Sequence, residues 1–305
     1  MTPPLIFDRL LLRARRQRGL RLGPETFLLD KVADELAHRL SLVLRRFELA
    51  ADLGTPAAAV RTAVMRGGAV GAMIAVDPLT AEAVHVAGGD EASLRVVADE
   101  EALPFADGTL DLVVSGLSLQ AVNDLPGTLT QVRRALKPDG LFLAALLGGD
   151  TLTELRQSFA AAESDLDGGV SPRVAPFVDV RETGALLQRA GFALPVTDVD
   201  RITVRYGTPL GLLLDLRRMG AANPLVERRR VPLRRATLMR AMEIYAERFA
   251  DPDDGRVRAS FDIIWLSGWS PHESQQQPLR PGSAKQRLAD ALGTTEIAAG
   301  EKPER

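Results

Sequence analysis

The sequence contains no cysteine and very little lysine. Without cysteine the chain cannot form disulfide bonds, bind iron–sulfur clusters through thiolates or use a catalytic thiol. Only four of the 38 lysine and arginine residues are lysines, a bias that a GC-rich genome also produces. The three histidines, His38, His85 and His272, are too scattered to predict a zinc site. No uninterrupted apolar run reaches the roughly 20 residues that a membrane-spanning helix needs.

The rest of the composition is that of a folded globular chain. Apolar residues make up 46% of the 305 and charged residues 26%, which allows a sizeable core. The net charge of −2 points neither to nucleic acid nor to a membrane surface. One segment differs: Ile6–Leu22 is rich in arginine and has a single acid. It predicts a solvated, basic amphipathic helix that could touch anionic lipid or an acidic partner.

Apolar runs and segments with helical periodicity alternate along most of the chain. The predicted strands are 48–53, 72–76, 94–98, 110–115, 141–147, 196–206 and 257–269. The predicted helices include 25–47, 56–66, 125–136 and 180–191. Strands that are apolar along almost their whole length are typical of a parallel sheet covered on both faces. The order therefore predicts an α/β fold with a mostly parallel, doubly wound sheet.

We predict an N-terminal helical lead-in at 1–46, one α/β domain at 47–291 and a disordered tail at 292–305. A helical insertion at about 219–254 precedes the last strand and carries six arginines within thirteen residues. Such a run favours either a solvated helix face or a collar for an acidic protein surface or an anionic carrier such as phosphopantetheine. Nucleic acid is not predicted, because no aromatic residues are interleaved for stacking. The six are Arg228, Arg229, Arg230, Arg234, Arg235 and Arg240.

Three acidic residues follow three successive predicted strands: Asp52, Asp77 and Asp99. In open α/β sheets ligands bind beyond the carboxyl ends of the strands. A carboxylate after the second strand suits ribose hydroxyls, and one after the third can accept from an adenine amino group. An acid near the first strand can hold a ligand ammonium. A single acid there is usually a cap or turn residue, but three in register predict a nucleoside site.

The segment Ala98–Leu147 contains the pieces D-x-E-x-L-P-F, F-x-D-x-x-L-D-L-V-x-S and L-K-P-D-G. In order and spacing they resemble the central half of the class I S-adenosylmethionine-dependent methyltransferases, the methyltransferase type 11 group. The resemblance implies a Rossmann-like class I methyltransferase fold and S-adenosyl-L-methionine as the cofactor. The cofactor-binding residues that it implies are Asp52, Gly54, Thr55, Asp77, Asp99, Glu100 and Ser115.

The loop after the first strand departs from that family's pattern. Gly54-Thr55-Pro56-Ala57-Ala58 stands where the family has Gly-x-Gly-x-Gly. Glycine permits positive φ and close approach of the backbone to a ligand. Proline removes an N–H and is comfortable only in the first turn of the following helix. The adenosine half of the site thus matches the family and the methionine half does not.

A second resemblance covers about residues 6 to 290. The segment Gly268–Ala284, GWSPHESQQQPLRPGSA, and the opening Ile6–Arg9 resemble the mitochondrial complex I assembly factor 5 family and its bacterial relatives. That family is associated with hydroxylation of an arginine on a quinone-module subunit of respiratory complex I. The resemblance implies a protein substrate, with a complex I subunit as the first candidate. We expect a bacterial cytoplasmic protein with at most peripheral contact to the inner membrane.

Two alternatives stay open beside a protein-modifying enzyme. The carboxyl O-methyltransferases of biotin synthesis, which act on a carrier-bound or small acid, share the central motifs. A non-catalytic assembly chaperone would need no cofactor. Candidate catalytic residues are Trp269, His272 and Glu273, which must then fold back over the sheet near Ser115 and Asp99. The other interpretation of these residues is a hydrogen-bonded surface turn.

Overall fold

The computed structural model describes residues 5–79, 94–276, 283 and 287–295. The chain divides into two units, Met1–Pro271 and His272–Arg305. The first unit contains a seven-stranded sheet with helices packed on it. Within its described residues, the second unit contains a turn at 272–275 and one short helix.

The strands and helices follow one another in the alternating order that the sequence predicts. The strands are β1 Phe47–Leu53, β2 Val70–Asp77, β3 Leu94–Val97, β4 Leu110–Gly116, β5 Leu136–Gly148, β6 Ala193–Tyr206 and β7 Val257–Trp269. The helices of the first unit are α1 Arg9–Arg21, α2 Phe27–Ser41, α3 Ala59–Arg66, α4 Leu125–Ala135, α5 Thr153–Asp167, α6 Val180–Arg189, α7 Pro209–Arg218 and α8 Arg235–Phe249. Helix α9, Leu288–Leu292, belongs to the second unit.

The sheet has the order β3-β2-β1-β4-β5-β7-β6. Strands β1 to β5 are parallel to one another. Strand β7 alone is reversed, because it pairs antiparallel with both β5 and β6. The strand order changes direction between β1 and β4, and such a switch point opens a crevice outside the carboxyl ends of those strands. The predicted α/β fold with a mostly parallel, doubly wound sheet is confirmed.

Both faces of the sheet are covered, which explains the continuous apolar strands. Neighbouring strand residues point to opposite faces, so that Val113 and Val114 belong to two separate apolar clusters. Helices α2, α3, α5, α7 and α8 contribute to the cluster that contains Val114, and α4 and α6 to the one that contains Val113. Full burial of such a side chain contributes about 1.5–3 kcal/mol.

Two predicted boundaries are wrong in a way that backbone geometry explains. Helix α3 begins at Ala59, three residues after Pro56. The segment 137–140, which was expected to lie outside regular structure, is part of β5. Asp139 has a left-handed φ of 62° there, and the pairing of β4 with β5 shifts register between Leu110 and Leu112. The strand absorbs the turn as an irregularity instead of ending at it.

The predicted insertion at 219–254 is helical only over α8, and most of its arginines are paired. Arg228 Nη1 lies 3.2 Å from an Asp8 carboxylate oxygen. Arg229 and Arg234 both bind Asp167, whose side chain is 1% exposed, at 2.9 and 3.3 Å. Arg240 lies near three acids of α5 and α8. A collar of free arginines is therefore wrong for these four; the remaining two, Arg230 and Arg235, are exposed.

The predicted lead-in at 1–46 contains α1 and α2. The predicted domain end at 291 stays a prediction, and the predicted disordered tail at 292–305 falls mainly outside the described residues. In the part of the chain that the structure describes, no helix is both long enough and apolar enough to cross a bilayer.

Candidate cofactor and substrate site

A cavity of about 660 Å³ lies over the carboxyl ends of β1, β2 and β4 in the first unit. This volume is within the range of about 300–1,000 Å³ that is usual for small-molecule sites. We call the part of its lining that follows those strands, at 56–58, 77–79 and 117–121, the inner end. We call the part that α5, α7 and the segments 173–177 and 219–224 contribute, in which most of the lining residues are apolar, the outer end. The cavity therefore lies where an α/β sheet binds its ligands.

Asp77 ends β2 and lines the inner end of this cavity. One of its carboxylate oxygens accepts a 2.8 Å hydrogen bond from the Leu79 N–H. Among the described residues no ion pair engages its carboxylate. Burial raises its pKa above the usual range for an aspartate, and the nearby charge of Arg16 only partly opposes this. An oriented carboxylate with spare acceptor capacity can take hydrogen bonds from ribose hydroxyls, as the resemblance implies.

The loop after β1 contains two residues in the left-handed conformation, although it lacks two of the family's three glycines. Gly54 has a φ of 67° and Ala57 a φ of 61°, both left-handed. Pro56, Ala57 and Ala58 line the cavity and precede α3. An alanine in this conformation costs about 1–2 kcal/mol, so the surrounding structure must hold it there. Ala57 thus gives the loop, beside the cavity, a backbone conformation that usually requires glycine.

Among the described residues that line the cavity, Asp77 is the one predicted cofactor residue. Three of the others, Asp52, Thr55 and Ser115, support the loop after β1 from within the protein. The fully buried Asp52 carboxylate accepts from the Thr55 hydroxyl and, at 2.8 Å, from Arg61 Nη1. Burial raises the pKa of Asp52 to about 6, although Arg61 and Thr55 oppose the shift. Thr55 Oγ1 accepts at 2.9 Å from the Gly116 N–H, and Ser115 Oγ donates at 2.7 Å to a β1 carbonyl. Direct cofactor contact by these three stays a prediction.

The two acids after β3 are held by α1. Arg9 and Arg13 both bind Asp99, the former at 2.8 Å. Arg9 also binds the fully buried Glu100, and Arg16 Nη1 lies 3.3 Å from it. Burial by itself would raise the pKa values of Asp99 and Glu100. The Glu101 N–H and the arginines hold the pKa of Asp99 below its usual value, and the arginines do so for Glu100. The prediction of a solvated α1 is wrong for these arginines: the spacing 9, 13, 16 places them on one helix face, and that face points inward.

Gly54 joins this ion-pair network to the loop. A Cβ atom at Gly54 would lie 2.3 Å from a Glu100 carboxylate oxygen and 2.4 Å from Ser118 Oγ. Ser118 Oγ in turn donates to Glu100 at 2.7 Å. No larger side chain fits at Gly54, because the space that it would need is filled by protein atoms. The sequence predicted this glycine for ligand approach, and the structure adds its contact with Glu100.

Trp269 lies at the end of β7, near the end of the sheet where the parallel strands begin. Its antiparallel partner is Leu141, whereas Ser115 pairs with Ala144 further toward the carboxyl ends of the parallel strands. The guanidinium of Arg45 lies 6.0 Å from the Trp269 ring. The prediction that Trp269 borders the cleft is therefore wrong. Strand β7 runs opposite to β1–β5, so it ends where those strands begin.

His272 and Glu273 belong to the second unit and are exposed. His272 Nδ1 lies 2.7 Å from Ser274 Oγ and 3.3 Å from the Ser274 nitrogen, which donates its N–H to it. The local geometry is a hydrogen-bonded turn. The proposed catalytic roles of His272 and Glu273 stay predictions.

Sequence reasoning missed three cavity residues outside the family's motifs. Leu117, with a left-handed φ of 51°, and Gln120 follow β4 and line the cavity. Gln120 Nε2 donates at 2.7 Å to the Leu117 carbonyl and fixes this turn. Glu25, in the linker between α1 and α2, also lines the cavity. No sequence signal marks Leu117 or Glu25, whereas the sequence Ser-Leu-Gln after a buried strand could have drawn attention to Gln120.

Comparison with known proteins agrees with this architecture. A profile described as a methyltransferase domain matches residues 51–144. A crystal structure of a candidate methyltransferase from Bacillus halodurans superposes with a TM-score of 0.53 at 18% identity, over 78% of this chain and 99% of that one. Sheet order, reversed β7 and strand-end acids together define a class I methyltransferase fold.

Two relatives narrow the assignment. The mitochondrial arginine-hydroxylase NDUFAF5 of Danio rerio is 36% identical over 288 residues, which cover 93% of this chain and 89% of the relative. A malonyl-acyl-carrier-protein O-methyltransferase of Laribacter hongkongensis is 38% identical over 187 residues, or 61% of this chain and 60% of that protein. The chain belongs to the NDUFAF5 family.

Proposed function

We propose that this protein binds S-adenosylmethionine at the inner end of the cavity and modifies an arginine side chain of a protein partner. The observation that carries the cofactor assignment is Asp77, a half-buried carboxylate without an ion-pair partner among the described residues, at the carboxyl end of β2 and next to the switch point of the sheet. The full-length similarity to an arginine hydroxylase supports the substrate assignment. The apolar outer end of the cavity suits the aliphatic stem of an arginine.

The residues present fit this cofactor. Asp77 would hold the ribose hydroxyls. Contact of the Asp99–Glu100 backbone with the adenine stays a prediction, because neither residue lines the cavity. The left-handed turn at Ala57 would lie along the methionine part. When bound, S-adenosylmethionine supplies an electrophilic methyl group on a sulfonium. The chain itself supplies orientation, which can be worth about 7–11 kcal/mol, and an apolar wall that excludes water.

A second candidate function is methyl transfer to a carboxylate. It is favoured by the similarity to a carrier-protein O-methyltransferase and by Arg217, an exposed cation that lines the cavity beside Leu213 and Leu214. A carboxylate nucleophile needs no general base. Noncatalytic chaperoning is the third possibility, and it predicts that the cavity does not bind the cofactor.

Calorimetric titration with S-adenosylmethionine and S-adenosylhomocysteine tests the cofactor assignment. The wild type should bind both, and Asp77→Asn should bind about tenfold or more weakly, since a hydrogen bond to a charged group contributes about 1.5–3 kcal/mol. Asp124→Asn, which changes an exposed cap of α4, is the matched control. Absence of binding by the wild type would support the chaperone.

Incubation of the protein with cell extract, followed by mass spectrometry of its partners, tests the substrate assignment. Modification at an arginine supports the first proposal, and a methyl ester supports the second. We propose a protein partner, and a respiratory complex I subunit is the first candidate to examine. We also propose that this protein makes at most peripheral contact with the membrane.

A further inference from the structure

Glu25 lines the cavity and already holds a guanidinium group. Arg218, at the end of α7, places Nη1 3.1 Å from Glu25 Oε2. Its Nε donates at 2.7 Å to the Gly23 carbonyl. Arg218 lines the same cavity, and the two side chains are 42% and 26% exposed. The linker between α1 and α2 therefore meets α7 through a solvent-accessible ion pair at the cavity wall.

Within the described residues that line the cavity, Glu25 and Asp77 are the two acids. Asp77 lies at the inner end, where the ribose is proposed to bind. Arg173, another cation of the wall, is neutralised by the buried Glu163, which accepts from its Nε at 2.8 Å. A cationic substrate group in this mainly apolar cavity needs a carboxylate, because an unpaired charge there would be strongly unfavourable. Glu25 is the carboxylate that remains.

We propose that Glu25 binds the guanidinium of the substrate arginine and that Arg218 occupies this position until the substrate displaces it. The inference rests on the proposed arginine substrate and names Glu25 as its specificity-determining residue. Exchange of one guanidinium for another conserves the charge-assisted hydrogen bonds to the carboxylate. The Glu25–Arg218 pair can be exchanged because a partly exposed ion pair contributes little to stability. A released Arg218 side chain can return to solvent, since it is already partly exposed.

The test uses N-acetyl-arginine methylamide as the probe, with the citrulline analogue as its uncharged match. Saturation-transfer NMR titrations of the full chain are made with and without S-adenosylhomocysteine. Three variants are compared with the wild type: Glu25→Gln, Arg218→Gln and the control Glu35→Gln. Glu35 binds Arg39 at 2.8 Å and does not line this cavity.

The wild type should prefer the arginine probe to the citrulline probe. Glu25→Gln should weaken arginine binding about tenfold, as expected for a lost charge-assisted bond, and leave citrulline binding unchanged. Arg218→Gln should strengthen arginine binding about two- to fivefold, because it removes the internal competitor. Glu35→Gln should match the wild type.

The proposal is overturned if the wild type shows no preference, or if Glu25→Gln retains it. It is also overturned if Arg218→Gln lowers the melting temperature and weakens the arginine probe, since Arg218 would then only fasten the linker to α7. Calorimetric measurement of S-adenosylhomocysteine binding tests the cofactor assignment separately from the role of Glu25. A wild type that binds the cofactor product without arginine preference contradicts this inference alone, and the titrations without cofactor test Glu25 even if the cofactor assignment fails.

Discussion

The substitution Glu100→Gln tests whether the ion pairs between α1 and Glu100 stabilise the fold. Glu100 is fully buried, binds Arg9 and Arg16 and accepts from the Ser118 hydroxyl at 2.7 Å. Glutamine preserves the shape and one acceptor oxygen, but it removes the charge that both guanidinium groups need. The two arginines are themselves largely buried, with 13% and 9% of their side chains exposed, so solvent cannot replace the lost partner.

Removing one partner of a buried ion pair costs about 3–5 kcal/mol. The lower end applies here, about 3 kcal/mol, because Asp99 still binds Arg9. For a domain of this size each kcal/mol lowers the melting temperature by about 2–4 °C, which predicts a fall of about 6–12 °C. The exposed pair of Asp107 with Arg134 provides a control: Asp107→Asn should cost less than about 1 kcal/mol.

Differential scanning calorimetry at neutral pH measures both variants, and a pH series adds the sign of the effect. The pKa of Glu100 is lowered in the folded protein, so its stabilisation is present above the pKa of an unfolded glutamate. That stabilisation is lost as the pH falls through the lowered folded value, and Glu100→Gln should show less loss on acidification than the wild type. Equal melting temperatures for Glu100→Gln and the wild type would refute a structural role for the α1 arginines.

Three further predictions concern the loop, the cofactor carboxylate and the surface. Ala57→Gly should raise the free energy of unfolding in urea by up to about 1 kcal/mol, because glycine adopts the left-handed φ of 61° without strain; a lower urea midpoint would contradict this. Cofactor affinity by calorimetry should fall as the pH drops through the raised pKa of Asp77, which must be ionised to accept two hydroxyls, whereas Asp77→Asn should show a flat profile. Reversal of the exposed Arg230 and Arg235 to glutamate should reduce salt-sensitive capture of an acidic partner in pull-downs without changing the melting temperature, and identical pull-downs would mean that these arginines are only solvated.

Most of the strands could be predicted because each contains an apolar run that is bounded by turn residues. Strand β6 is the exception, since its 14 residues include several charged ones and are mainly exposed or partly buried. The strand-end position of Asp77 followed from that alone, and the doubly wound fold followed from the alternation of elements. Helical periodicity could not show which face of α1 meets the sheet. The acids that attract Arg9 and Arg13 lie more than eighty residues further along the chain, so no local pattern links them.

The direction of β7 could not be predicted from the sequence either. An apolar run such as Val257–Trp269 fits either strand direction, since burial on both faces gives the same composition. The antiparallel pairing with β5 sends Trp269 to the edge where the parallel strands begin. The sequence prediction thereby placed Trp269 at the wrong end of the strands.

The sequence predicted that all three strand-end acids contact the cofactor, but their partners in the structure differ. Asp52 is bound by Arg61 and Thr55 beneath the loop, and Asp99 by arginines of α1. For Asp77 the described residues supply one backbone N–H and no ion pair. A carboxylate whose charge is already compensated contributes mainly to stability, whereas one with spare acceptor capacity in a cavity can be completed by a ligand. We therefore propose Asp77 as the one of the three acids that binds the cofactor, because of its partners and not because of its position.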